Sequence, residues 1–297
     1  MEFMKAHGRR EINNILLLIP LARLILLIFA YPFIRSLIFS FYDIPFGSST
    51  AKYIGLRNFG SIMRDQAFWQ SLGESFYWTF GNLFLQLTIP MGIAVLLNKK
   101  MRGINLARSL IMFPWVVPTV TIAVCMRWML LPKIGIVTNI LVFLGLLRKQ
   151  IYFLGNRSTA MPVLILLNSW KFLPFGTLMI LAALQTISES TYEAAEVDGA
   201  TEFQKFRYIS LPLVSSMIWF VGFLAFTWNF NTFDLIWLTT QGGPGVATQT
   251  LQVLIYRTAF KTFRLGEASA ISVAIAALLI GIGILYFKYL TPREKKN

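Results

Sequence analysis

Two groups of polar side chains interrupt apolar runs of this chain at helical spacing. In NSWK, Asn168 and Lys171 stand three residues apart, on one face of a helix, with Trp170 between them in sequence. In TWNFNTFD, Thr227, Asn231 and Asp234 fall at i, i+4 and i+7, a single helical stripe, with Asn229 nearly opposite. Amides, a hydroxyl, an ammonium and a carboxylate set among aromatic rings can hydrogen-bond a hydroxyl-rich solute and stack on its flat faces. Such groups are costly inside an apolar run, so they face a cavity or one another. Lys171 and Asp234 either meet a solute or neutralise each other. Thr227 and Asn231 either line a path or bond neighbouring helices. Trp128, Trp170 and Trp228 read as interfacial belts or as stacking platforms, and Arg127 as an arm reaching for headgroups.

Other chemistries are excluded by composition. The chain has one histidine, His7 in a basic N-terminal tail, and one cysteine, Cys125 inside an apolar run. A His/Cys metal site, a Ser-His-Asp triad and an intrachain disulfide are therefore impossible within it. No catalytic residue and no metal ligand is expected. No G-x-x-x-x-G-K-[ST] is present, so the sequence carries no P-loop nucleotide site. The glycine-rich TQGGPG at 240–245 lacks the lysine and the following helix of a phosphate cradle, and reads as a tight turn.

The elements that position these residues follow from hydropathy. The 297 residues are 56% hydrophobic and 13% charged, with mean hydropathy +0.63, whereas a soluble domain is roughly 45–50% apolar and about 25% charged. Six runs are long enough to span a bilayer, at 13–41, 72–97, 107–131, 161–184, 213–239 and 268–287. They predict an all-α, polytopic integral membrane protein with six transmembrane helices, an N-terminal tail over 1–12, one transmembrane domain over 13–287 and a C-terminal tail over 288–297. The first run is too long and too polar at its far end for a cleaved signal, and reads as a retained helix. A seventh apolar patch at 134–147 is too short to span and reads as an interfacial or re-entrant piece. The net charge of +14 is explained by the positive-inside bias rather than by nucleic acid. With both termini inside, the inner segments hold 13 Lys and Arg, counting Arg108, against 10 in the longer outer loops. That places residues 188–212 in the cytoplasm.

Those residues contain EAAEVDGATEFQKFRYISLP, from 193 to 212. The predicted form is a helix from about Thr191 capped by Ser188 or Ser190, a turn at Gly199, and a second short helix carrying Phe203, Phe206 and Ile209. Pro212 then opens the next span. The small pair Ala194 and Ala195 admits close approach of another surface, and Glu193, Glu196, Asp198 and Glu202 offer it charge. The order Glu193-Ala194-Ala195, three residues, Gly199, nine residues, Ile209, one residue, Leu211-Pro212 resembles the cytoplasmic EAA loop of the permease subunits of bacterial ABC importers. YIGLRNF, RSLIMFPWVVP, NSWKFLPFGTLMILAALQTI and FDLIWLTTQGGPGVATQTLQVLIYRTAF resemble its sugar permeases of the maltose and glycerol-phosphate type, across nearly the whole chain. LTTQGGP at 238–244 is the element most similar to a first-type subunit that pairs with a different second permease. Gly73-Glu74-Ser75 departs from the Asn-Thr pair common there.

The resemblance implies a multi-pass subunit of a bacterial cytoplasmic (inner) membrane, with no cofactor of its own. Glu193, Ala194, Ala195 and Gly199 would form the coupling helix that docks on a cytoplasmic ATPase present in two copies, where ATP and Mg bind. A second, homologous permease would complete the pathway. An extracytoplasmic solute-binding protein would deliver a carbohydrate, neutral or acidic, to Asn168, Trp170, Lys171, Thr227, Asn231 and Asp234. A secondary transporter is the first alternative, but no internal repeat is evident. An intramembrane enzyme is the second, but the spans hold only scattered carboxylates.

Overall fold

A computed structural model describes residues 19–21, 23–44, 51–99 and 102–289. Residues 1–18 and 290–297, with most of both predicted tails and the start of the first span, lie outside the described residues. In chain order the helices are α1 (Ile19–Phe39), α2 (Arg57–Arg64), α3 (Gln66–Leu97), α4 (Ile104–Val116), α5 (Thr119–Met129), α6 (Ile136–Phe143), α7 (Arg157–Leu184) and α8 (Glu189–Val197). They continue as α9 (Glu202–Leu213), α10 (Ser215–Phe230), α11 (Asp234–Thr239), α12 (Leu251–Phe260) and α13 (Leu265–Tyr289). Two two-residue strands, β1 (Tyr42–Asp43) and β2 (Lys52–Tyr53), pair antiparallel.

Backbone packing divides the chain into two compact units, residues 1–65 with 255–277, and residues 66–254 with 278–297. In the first, Asn58 Nδ2 donates to the carbonyls of Ser40 and Tyr42, which ties α2 to the end of α1 and to β1. A Cβ at Gly266 would lie 2.1 Å from the Tyr42 carbonyl oxygen, so glycine is required for that approach. The apolar side chains of α1 are exposed, as a lipid-facing span requires.

The second unit is built on α3 packed against α7. A Cβ on Gly81 would lie 2.7 Å from Ile165 Cδ1, and one on Gly176 3.0 Å from Pro90 Cγ, so two glycines let these long helices close up. Trp78, Met161, Leu164 and Ile236 centre one apolar cluster, and Ala94, Ile180, Leu184 and Val214 a second.

Among the described residues four helices are long and apolar enough to cross a membrane, and two bent pairs bring the number to six if each pair is one span. The predicted third span is broken: α4 and α5 meet at 89°. Val117 is extended (φ −71°, ψ 125°) because the ring of Pro118 disfavours helical backbone before it. Between α9 and α10 the bend is 66°. Pro212 has no N–H to donate, and the preceding turn, Phe206–Ser210, opens into a π-turn. The fifth predicted span also does not run through to Thr239. It ends at Phe230, where Asn231 Nδ2 bonds the Thr227 carbonyl and Thr232 Oγ1 the Trp228 carbonyl. The Thr232 N–H bonds the Asn229 carbonyl, three residues back, so the helical ladder tightens and ends here. The helix restarts at Asp234. The patch at 134–147 forms the short α6, closed by Gly145 at φ +72°.

Candidate functional site: a polar cavity and the EAA loop

Between α3, α7 and α10, four side-chain amides bond one another at the interior of the bundle. Asn82 Oδ1 accepts from Asn168 Nδ2 at 2.8 Å, from Ser169 Oγ at 3.2 Å and from Gln86 Nε2 at 3.3 Å. Asn229 Oδ1 accepts from Asn168 Nδ2 at 2.7 Å, and Asn229 Nδ2 donates to Gln86 Oε1 at 2.7 Å. Trp78 Nε1 reaches the Asn229 carbonyl, and Asn82 Nδ2 the Trp78 carbonyl. Asn82, Gln86 and Asn229 are buried. Such a network satisfies polar groups that lipid cannot solvate, and it fixes three helices in register. Because Asn168 donates inward to two acceptors, its Oδ1 is left as an acceptor on the cavity side.

That cavity, about 190 Å³, is lined by Gln86, Asn168 and Asn229 from the network and by Lys171, Thr232 and Asp234 beyond it. Its apolar wall is a ring cluster: Phe172 and Phe175 have centroids 5.3 Å apart, Phe175 and Trp228 5.0 Å, and Trp115 and Phe175 6.1 Å. Lys171 Nζ donates to Thr119 Oγ1 at the start of α5. Among the described residues Lys171 and Asp234 share the cavity without forming an ion pair. The ammonium and the carboxylate are both left facing it.

The predicted residues therefore divide. Asn168, Lys171 and Asp234 line one cavity. Thr227 does not, since its Oγ1 bonds the Phe223 carbonyl within its own helix. Nor does Asn231, which accepts from Gln252 Nε2 at 3.1 Å. The stripe that joined them to Asp234 assumed an unbroken helix. Trp170 packs against the apolar cluster around Trp78, whereas Trp228 lines the cavity. Arg127 Nη1 lies 3.5 Å from the Leu238 carbonyl, on the neighbouring α11. Asn82, Gln86 and Asn229 are the residues the sequence reading missed. The available signal was the i, i+4 amide pair Asn82/Gln86 in an otherwise apolar span.

The EAA loop forms α8, a turn and α9. Ser188 stands at the N-cap, so the helix begins at Glu189, two residues before the predicted start. At its end Gly199 adopts φ +79°, the Gly199 N–H bonds the Glu196 carbonyl, and the Ala200 N–H bonds the Ala195 carbonyl at 2.9 Å. This pair of bonds is a Schellman cap, which needs a left-handed residue and hence favours glycine. A Cβ there would meet nothing within 4 Å, so the requirement is conformational and not steric. Thr201 and Gln204 then form a reciprocal capping box at the start of α9. Glu193 and Ala194 are exposed, and Val197, Phe203 and Tyr208 put 89%, 72% and 74% of their surface outward. These apolar groups lie exposed beside carboxylates on one polar loop.

Lys205 is held between Glu196, at 2.6 Å, and Glu202, and Lys99 reaches Glu202 at 3.3 Å. The hydrogen bond to Glu196, then that to Glu202, raises the Lys205 pKa above its usual value. Its stabilisation is present at neutral pH and is lost only as pH rises through that raised pKa. The bonds from Lys205 and then Lys99 lower the Glu202 pKa, so its contribution is present above the ordinary carboxylate range and is lost as pH falls through the lowered value.

At the opposite end of α3, Ser75 Oγ bonds the Leu251 N–H at 2.8 Å and Ser71 Oγ accepts from Gln249, so the departure at Gly73-Glu74-Ser75 anchors the start of α12. The TQGGPG stretch is a turn, with Gln241 at φ +53° and Gly242 at φ +89°, closed by Thr248 Oγ1 on the Gly243 carbonyl.

Residues 86–296 match the family of binding-protein-dependent transport system inner membrane components. The chain belongs to this family. It is a membrane-embedded permease component. The trehalose/maltose transport system permease protein MalF of Thermococcus litoralis is 31% identical, over 92% of each chain. The sulfoquinovosyl glycerol transport system permease protein SmoG of Agrobacterium fabrum is 31% identical, over 94% of this chain and 91% of its own length. The inner membrane ABC transporter permease protein YcjO of Escherichia coli (strain K12) is 30% identical over 94% of each. A chain from the crystal structure of a bacterial ABC transporter involved in the import of the acidic polysaccharide alginate superposes with TM-score 0.84 at 23% identity, over 100% of both chains. That likeness establishes the same fold.

Proposed function

We propose that this permease forms one side of the pathway of an ATP-driven carbohydrate importer. The observation that carries the reading is the cavity, where amides, a hydroxyl, an ammonium, a carboxylate and an aromatic wall converge inside the spans. Asn168 Oδ1 and Asp234 would accept from sugar hydroxyls, Lys171 would donate, and Trp228 and Phe175 would stack on ring faces. Trp170, Thr227 and Asn231 would hold the wall from behind. The names of relatives that move trehalose/maltose and sulfoquinovosyl glycerol support a carbohydrate. At about 190 Å³ the cavity is smaller than the roughly 300–1,000 Å³ of ordinary ligand sites. A second permease would supply the facing wall.

Glu193, Ala194, Ala195 and Gly199 would present the handle gripped by two ATPase subunits, which carry ATP and Mg. Both termini and the EAA loop would lie in the cytoplasm, and an extracytoplasmic binding protein would load the solute at the far end. The solute would pass unchanged. A carbohydrate bearing an acid group is the second reading, favoured because Lys171 has no carboxylate partner among the described residues. Uptake of matched neutral and acidic oligosaccharides by the full complex tests both readings. For a neutral solute, Lys171→Met and Asp234→Asn each raise KM several-fold. For an acidic one, Lys171→Met costs far more than Asp234→Asn. Unchanged uptake of both solutes in both variants would remove the cavity from the pathway.

A further inference from the structure

We propose that Lys205 is a positioning residue for energy coupling: it clamps α8 to α9, so that a displacement of the EAA helix reaches α10 and the cavity instead of being absorbed at Gly199. The inference rests on the reading of the EAA loop as the ATPase handle.

Among the described residues Lys205 is the sole charged residue in the buried class, with 9% of its side chain exposed, against 62% for Glu196 and 69% for Glu202. Burying an ammonium is unfavourable unless carboxylates and hydrogen bonds compensate, and a well-packed apolar side chain usually serves stability equally well. An exposed loop has still less need of such a group. What the lysine supplies is geometry. Gly199 turns the chain at φ +79°, and a Cβ there would meet nothing within 4 Å. Beyond the backbone bonds of the Schellman cap, two side-chain bonds cross that bend. Lys205 Nζ grips Glu196 at 2.6 Å near the turn, and Tyr192 OH meets Ser210 Oγ at 2.8 Å near the base of the two arms. One contact alone would leave a pivot; the two together fix the angle. Past the 66° bend after Pro212, α9 leads into α10, which carries Trp228 and Asn229 to the cavity. Glu202 and Lys99 form a second link, to the end of α3, the helix of Gln86.

The test measures solute moved per ATP hydrolysed by the full complex in proteoliposomes. In Lys205→Met this ratio should fall at least fivefold while the ATPase stays bound and hydrolysis continues. Lys205→Arg, which can bridge the same two carboxylates, should keep it within twofold of the wild type. Glu196→Gln changes an exposed partner that folding does not require, and should lower the ratio at least twofold. A purely structural lysine would reduce assembled complex, hydrolysis and uptake together and leave the ratio unchanged, which would overturn the proposal. An unchanged ratio in Glu196→Gln would overturn it too, even if Lys205→Met failed to assemble. Failure of the underlying reading is distinct: no ATP-dependent uptake would then occur in the wild type either.

Discussion

Asn82 Oδ1 accepts from three side-chain donors at once, on Asn168, Ser169 and Gln86. Replacing it with leucine leaves those donors facing an apolar group of similar size, at about 1–3 kcal/mol for each buried group left unsatisfied. Asn82→Leu should therefore lower the thermal midpoint of the detergent-solubilised complex. It should also weaken solute binding, because Asn168 then loses one of the two acceptors that hold its Oδ1 toward the cavity. Unchanged stability would mean that the network is not a structural tie. Asn168, Lys171 and Asp234 were legible in the sequence because polar groups stand out in apolar runs. Asn229 was not: a helical wheel drawn through Thr227, Asn231 and Asp234 turned it to the opposite face, whereas the break after Phe230 frees Asp234 from that stripe, and Asn229 and Asp234 line the same cavity. No proline or glycine marks that break in the sequence, where Asn231 and Thr232 turn their side chains back onto the last turn of the helix.

Among the elements, the EAA loop was the most readable. Its helix, its glycine turn and its second helix all follow from local signals: Ser188 at the cap, the left-handed Gly199, and the Thr201/Gln204 box. A Cβ at Gly199 meets nothing within 4 Å, so the first cost of a leucine there is the left-handed backbone, about 1–2 kcal/mol. That shifts the ratio of bent to relaxed loop roughly 5- to 30-fold. Gly199→Leu should thus leave the spans folded and inserted while uptake and solute-stimulated hydrolysis fall together. Normal coupled activity would show that the bend plays no part. The 89° break between α4 and α5 was less legible. Hydropathy counts apolar residues and passes over a proline, so Val117-Pro118 was absorbed into a single span. Yet this break sets Thr119 at the start of α5, where its hydroxyl receives Lys171.

At the scale of the whole molecule, the composition and six apolar runs were sufficient for the membrane class, and the ordered EAA spacing for the family. Tertiary placement was beyond them, because the long α3–α7 contact depends on Gly81 and Gly176 meeting Ile165 and Pro90 far along the chain. On this account one chain supplies a wall of the pathway and a handle at one end, and ATP acts through that handle. The most direct test is uptake of a labelled oligosaccharide into proteoliposomes holding the full complex, with ATP and binding protein placed on chosen sides. Accumulation against a gradient is predicted only when ATP is on the face of the EAA loop and the binding protein on the opposite face. Uptake that proceeds without ATP, driven by an ion gradient alone, would contradict the account.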